Sequence, residues 1–301
     1  MTRRPRLRVE NEEGWYHIYC RTISRKGEYP LAEKEDAEKF IEILKFYSEA
    51  YFCDIASFCV MGNHYHIVVR FDKPKHINKK ELIYRGKMLY PNNNAWVENW
   101  DKGHRSHVKD RLFNISEMMR NIHTVYTKWY NKKYERRGRF WAERFQSTIL
   151  VSGDAVLECM QYVELNPIRA GIARKPESYK YGSARLREMR TDDWLYDIRD
   201  VVGLKNKEES YTEYKRGLYF RGEIRTKENQ AEIPETITDE MELGVYKRQG
   251  FKQRVSMFTR GLVIGSKSKI EDWLTLLRNN GYYERRINPM VYEGVSYASL
   301  R

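Results

Sequence analysis

The residues best suited to chemistry are two histidines one position apart, in the run N-H-Y-H-I-V-V from Asn63 to Val69. On an extended strand, side chains i and i+2 leave from the same face. His64 and His66 would thus present two imidazoles side by side, half or more of a metal site. Taken alone, the pair favours a plainer reading, a satisfied surface or core histidine. A second set lies in C-M-Q-Y-V-E-L-N-P, from Cys159 to Pro167. On a helix, residues i and i+4 stack on one face, so Tyr162 and Asn166 point the same way. Alone, these two read as a packed aromatic followed by a C-terminal cap.

Together the two sets make chemical sense. A hard divalent cation, Mg²⁺ or Mn²⁺, accepts imidazole and amide-oxygen ligands and keeps positions open for a phosphate. Such a cation polarises a phosphodiester, and a tyrosine hydroxyl beside that phosphate can attack it and form a phosphotyrosine. A free phenol has a pKa of about 10, so the phenol needs help to ionise, and a nearby cation is the natural source.

The order of H-Y-H, then G-R-F-W-A-E-R-F-Q-S from Gly138 to Ser147, then Y-V-E-L-N-P-I-R-A-G from Tyr162 to Gly171, resembles the REP-associated tyrosine transposases. These belong to the single-tyrosine HUH transposase superfamily. The likeness runs from about residue 10 to residue 185, and three motifs in the right order are specific. It implies a ferredoxin-like, RRM-like palm with a central antiparallel sheet. It implies His64 and His66 as metal ligands, Asn166 as the third ligand and Tyr162 as nucleophile. The implied activity is cleavage and rejoining of single-stranded DNA beside hairpins, through a 5′-phosphotyrosine and a free 3′-hydroxyl, with no nucleotide cofactor. The sequence departs from the family pattern in Tyr65 at the middle position, in a long insertion at 72–110, and in a C-terminal extension.

Other residues compete for these roles or support them. Tyr126 and Tyr130 fall with Ile122 and Trp129 on a helical apolar stripe, which makes them core. Cys53, Cys59, His64 and His66 fit no common zinc spacing. His17 lies on the first strand, either near the site or buried. Arg136, Arg137, Arg139 and Arg144 interleave with Tyr134, Phe140, Trp141 and Phe145, a pattern that suits a nucleic-acid strand or a solvated strand face equally. Arg3 and Arg4, with Arg6 and Arg8, read as a basic arm for a DNA groove or as a free tail. Arg169, in the third motif, is a further candidate DNA contact. Lys267 and Lys269 open a helix and could meet a phosphate.

The elements that must position these groups can be read from periodicity. Trp15 to Ile23 is strand-like, and Glu33 to Tyr51 is an amphipathic helix. Phe52–Val60 and His64–Phe71 form a hairpin about Gly62-Asn63. Residues 72–110 are polar, with Pro74, Pro91 and three consecutive asparagines, and read as an insertion or long surface loop. Ser116–Tyr134 is a helix, Arg139–Val151 a strand, and Ser152 caps a helix through Tyr162 that stops before Pro167. The order β-α-β-β-α-β-α predicts an α+β fold, an antiparallel sheet with helices on one face. Residues 1–185 would be the catalytic domain. Residues 186–301 would be a small mixed accessory domain, with a strand at Phe258–Gly265 and a helix from Ser266 through Leu277.

The chain has 301 residues, 41% hydrophobic and 32% charged, with a formal net charge of +13 and a pI near 9.4. That size supports a real core, and that charge favours a polyanionic partner, here single-stranded or hairpin DNA. No apolar run reaches the roughly 18–20 residues of a membrane span. Four cysteines without a C-x-x-C pair suggest buried thiols and a reducing, cytoplasmic setting. A protein of this type can act as a monomer or a homodimer. The competing reading is a DNA-binding protein that keeps the palm and no longer cuts; an RNA-binding module is disfavoured by the lack of RNP-type aromatic motifs.

Overall fold

The computed structural model describes residues 12–223, 230–234, 237, 263–279, 290–292 and 295–298. Strand β1 (Gly14–Arg21), helix α1 (Lys34–Ala50), strands β2 (Cys53–Val60) and β3 (His64–Phe71), helix α5 (Ile115–Lys133) and strand β4 (Gln146–Leu150) make the palm. Its strands lie in the order β2-β3-β1-β4, every neighbour antiparallel, the ferredoxin-like arrangement expected. Pleating sends Tyr16, Ile18 and Cys20 of β1, with Tyr65, Ile67, Val69 and Phe71 of β3, into a core under α1 and α5. Those two helices share one face, as anticipated.

The opposite face is covered too, which the sequence did not indicate. Helix α6 (Gly153–Glu164) packs there on Ala56, Cys59, Val68 and Leu150. Ser152 caps it by accepting the Ala155 N–H. Almost every α6 residue from Ala155 to Glu164 is buried, because a second layer closes its far side. That layer includes α8 (Ser183–Glu188), α9 (Ile198–Val202) and α10 (Lys207–Glu223). The core therefore crosses position 186: Tyr211, Tyr214, Leu218 and Tyr219 join the same apolar cluster as Tyr162. Strand β5 (Val263–Gly265) also pairs with β4, in parallel, and β7 (Val295–Ala298) and β6 (Met290–Tyr292) extend a seven-stranded sheet. Helix α11 (Lys267–Asn279) follows β5 directly; residues 258–262 of the strand expected there lie outside the described residues.

Two sequence expectations need correction. Residues 72–110 are no loop: they fold into α2 (Lys79–Leu89), α3 (Asn94–Glu98) and α4 (Lys102–Leu112). Each is capped or short, and each contributes only one or two fully buried apolar residues to a small core. Leu82, Val97, Trp100, Val108 and Leu112 close it against Phe52. Arg85 anchors this unit, its guanidinium 3.8 Å from the Phe52 ring centroid and donating to the Glu49 and Tyr51 carbonyls at the end of α1. Arg139–Phe145 is an arch rather than the start of a strand. Among the described residues its ladder pairing is limited to one isolated bridge, Trp141 with Thr22, and Phe140 and Trp141 both turn inward. The arch is tied to β1 through the Ala142 N–H on the Arg21 carbonyl and the Ile23 N–H on the Phe140 carbonyl.

No helix among the described residues is long and apolar enough to cross a membrane. The four cysteines are buried and free. At Gly86, a Cβ atom would meet the Trp100 ring at 2.5 Å. Gly86→Ala is expected to destabilise the protein by about 1–3 kcal/mol through overpacking, read as a lower urea midpoint at unchanged slope.

Candidate active site

The β1–β3 register sets the site. Tyr19 pairs with His66 and Arg21 with His64, so His17, Tyr19, Arg21, His64 and His66 all leave the sheet on the face that α6 covers. The two imidazoles are held alike. His64 Nδ1 donates to the Asn63 side-chain oxygen at 2.8 Å, and His66 Nδ1 lies 3.0 Å from His17 Nε2. Each ring is thus fixed through Nδ1, with Nε2 as the remaining nitrogen. For His66 to offer a lone pair on Nε2, its Nδ1 must carry the proton and donate to His17.

Both rings are neutral at pH 7. Burial, and then the charge of Arg21, bring the His64 imidazole down to about 4. Burial likewise holds His66 well below its ordinary value, with His64, His17 and Arg21 acting in the same direction. Neutral imidazole is the form that binds a metal. Among the described residues no group of three or more His, Cys, Asp or Glu could hold an ion. Asn166 is the first residue of the short helix α7 (Asn166–Arg169) rather than the last turn of α6. Its amide nitrogen donates to the Tyr162 and Val163 carbonyls at 2.9 and 3.2 Å, capping α6.

Tyr162 packs edge-on against both histidines, with ring centroids 5.6 Å from His66 and 5.7 Å from His17. It is 3% exposed. Burial pushes its phenol above the ordinary value; Cys159 and Tyr19 act in the same direction, while Arg169 and a hydrogen bond from Asn166 oppose them. Arg169 has its guanidinium 5.4 Å from the Tyr162 ring centroid and is itself buried, which brings it down to about 10. Arg169 thus lies against the phenol, not out on the surface.

The remaining candidate DNA contacts divide. Arg136, Arg137, Arg139 and Arg144 are exposed, on and beside the arch that is hydrogen-bonded to the Arg21 end of β1. Trp141 is corrected: it is buried, stacked on His123 at 4.3 Å and packed on Tyr65 and Phe140, so no base can reach its face. Phe140 and Phe145 also point inward. Arg3 and Arg4 lie outside the described residues. Lys267 and Lys269 are exposed at the start of α11.

Comparison with known proteins bears on the same segment. Residues 11–85 match the family described as "Transposase IS200 like". The IS200-like stretch spans β1, α1, the hairpin and the His64/His66 pair; Tyr162 and Asn166 lie beyond it. No curated protein matches the chain. Among solved structures, one titled "Structure of the REP associates tyrosine transposase bound to a REP hairpin" is similar at 12% identity and a TM-score of 0.43. It covers 65% of this chain and 88% of its own.

His17 was placed by the sequence only as near the site or buried, and Tyr19 not at all. Both are brought in by the register, Tyr19 with its ring stacked on His66 at 5.8 Å and its hydroxyl on Gln146 at 2.7 Å. Replacing His17 with Gln should lower Mn²⁺ affinity about 10–100-fold, as measured by calorimetry on protein whose far-ultraviolet circular dichroism is unchanged. Acid should also destabilise the metal-free protein. The folded imidazoles titrate below the unfolded value of about 6.5, so between that value and about 4 for His64 the unfolded chain binds more protons and stability rises with pH. The melting temperature should fall from pH 7 to pH 4.5, less steeply in His64→Gln.

Proposed function

We propose that this chain is a DNA strand-cleaving and strand-joining enzyme of the transposase type. It acts on single-stranded or hairpin DNA through Tyr162, with Mg²⁺ or Mn²⁺ held by His64, His66 and Asn166. The observation that carries this reading is the Tyr162 ring lying edge-on to His66 at 5.6 Å, so a cation-bound phosphate would sit beside the phenol. The IS200-like match over residues 11–85 supports it independently, because it covers the imidazole pair.

In the reaction, the phenol oxygen of Tyr162 forms a bond to phosphorus as the bond from phosphorus to the 3′ oxygen breaks. The proton lost from the phenol is balanced by the one the 3′ oxygen gains. DNA is left with a free 3′-hydroxyl and a 5′-phosphotyrosine, and attack by a 3′-hydroxyl reverses the step, so no external energy source is required. A divalent cation held by His64, His66 and Asn166 would polarise the phosphodiester and stabilise the charge that gathers on phosphorus. Arg169, close enough to act on the phenol, favours its ionised form. Asn166, tethered to α6 through its nitrogen, is positioned by the same helix that bears the nucleophile.

One observation favours a second reading. Tyr162 is almost wholly buried, as suits a palm that binds DNA and has stopped cutting. A single assay separates the two. Full-length protein is incubated with Mn²⁺ and hairpin-bearing single-stranded oligonucleotides, and denaturing gels are read for covalent adduct. The enzyme is expected to form a 5′-linked adduct mapping to Tyr162, absent in Tyr162→Phe and in EDTA, and reduced at least about 100-fold in His66→Ala. Tight DNA binding without adduct from the unaltered protein would establish the silent palm instead.

A further inference from the structure

Arg21 shares the face of the imidazole pair and has so far been given no role toward substrate. It is the last residue of β1 and pairs in register with His64. Its side chain leaves the same face as His17 and Tyr19. Both sides of its backbone are fixed. The Arg21 carbonyl accepts the Ala142 N–H at 2.9 Å, and the next residue, Thr22, donates its N–H to the Asn63 carbonyl at 2.9 Å. Arg21 is exposed, whereas His66 and Tyr162 on the same side of the sheet are buried. It is near enough for its charge to act on both imidazoles.

Arg70 gives the contrast. It lies on the same face of β3 six residues from His64, and it is held by Glu13, Asp54 and Asp72 at 2.8, 2.6 and 3.0 Å. That arginine is part of the scaffold. Among the described residues no carboxylate pairs with Arg21. A cation beside two neutral imidazoles, without a counter-charge, disfavours a second cation bound there alone. The cost is relieved when an anion arrives that both the cation and the metal can share. The exposed arginines of the 136–144 arch continue the positive charge from that same end of β1, as the neighbouring phosphates of a DNA strand would require.

We propose that Arg21 grips the scissile phosphate, its guanidinium bonded to a non-bridging oxygen of the phosphodiester that Tyr162 attacks. The proposal rests on the strand-cleaving reading above and adds to it a substrate contact from β1. Arg21 would then strengthen its hold as charge builds on the phosphorus, which makes it a catalytic residue rather than a general DNA contact.

The test uses full-length protein, Arg21→Gln and Arg21→Lys, Mn²⁺, and the hairpin-bearing oligonucleotides. At saturating oligonucleotide, adduct formation should slow about 100–1,000-fold in Arg21→Gln and be partly restored in Arg21→Lys, while oligonucleotide affinity falls less than about tenfold. Mn²⁺ affinity without DNA should stay the same or tighten. An unchanged adduct rate at saturation overturns the proposal, and so does loss of Mn²⁺ binding in Arg21→Gln, which would mark a structural role. Should the unaltered protein give no adduct, the nuclease reading alone fails, and binding decides Arg21. The slope of log affinity against log salt for a single strand with Mn²⁺ should then shrink by about 0.7 in Arg21→Gln; an unchanged slope overturns the proposal.

Discussion

A histidine enclosed between a sheet and a buried helix must be neutral, hydrogen-bonded and immobile, and the contact between His66 and His17 imposes all three. The pair forms because β1 and β3 lie antiparallel with Tyr19 opposite His66, which sets His17 two residues deeper on the same face. With Nδ1 so occupied, the ring presents its other nitrogen in one direction only. His64 is fixed the same way by its neighbour Asn63. Two imidazoles are thereby pre-organised, as the proposed cation site would require.

The facing helix is constrained as tightly. Glu164, two residues after Tyr162, is buried and accepts hydrogen bonds from Ser183 at 2.5 Å and Tyr214 at 2.8 Å. Arg221 donates to Glu158 at 3.0 Å, and α10 passes so close that the Gln161 amide lies 2.7 Å from where a Gly217 Cβ would be. Buried carboxylates with satisfied partners specify one docking of α6 among several that apolar contacts alone would allow. Tyr162 is placed by a layer of chain that follows it, and the two imidazoles by strands that precede it.

How much of this was legible depended on the range of the geometry involved. The pairing of His64 with His66, and of Tyr162 with Asn166, follows from the repeat of a strand and of a helix, so a few residues sufficed. The palm order also followed from periodicity. His17 and Arg21 matter through a register that joins residues more than 40 positions apart, and nothing local encodes it. Trp141 shows the reverse failure. An aromatic among arginines has the right chemistry for stacking on a base, but here His123 and Tyr65 already occupy its surroundings. The 72–110 helices were missed because their core is spread thinly, with one or two fully buried apolar residues in each. A polar average concealed them. The cover on the second face was missed because α6 carries its buried polar groups in pairs with α8 and α10, and those partners are far along the chain.

The parallel pairing of β4 with β5 joins Ile149 to Val263 and Leu150 to Ile264. Until the later strand has been made, β4 is a bare edge carrying large apolar side chains, the kind of template on which chains aggregate. At ordinary translation rates of about 5–20 residues per second, that edge waits on the order of ten seconds for its partner. The growing polypeptide thus passes through an interval in which the palm is complete but adhesive, and its safe arrival depends on what shields one short strand in the meantime.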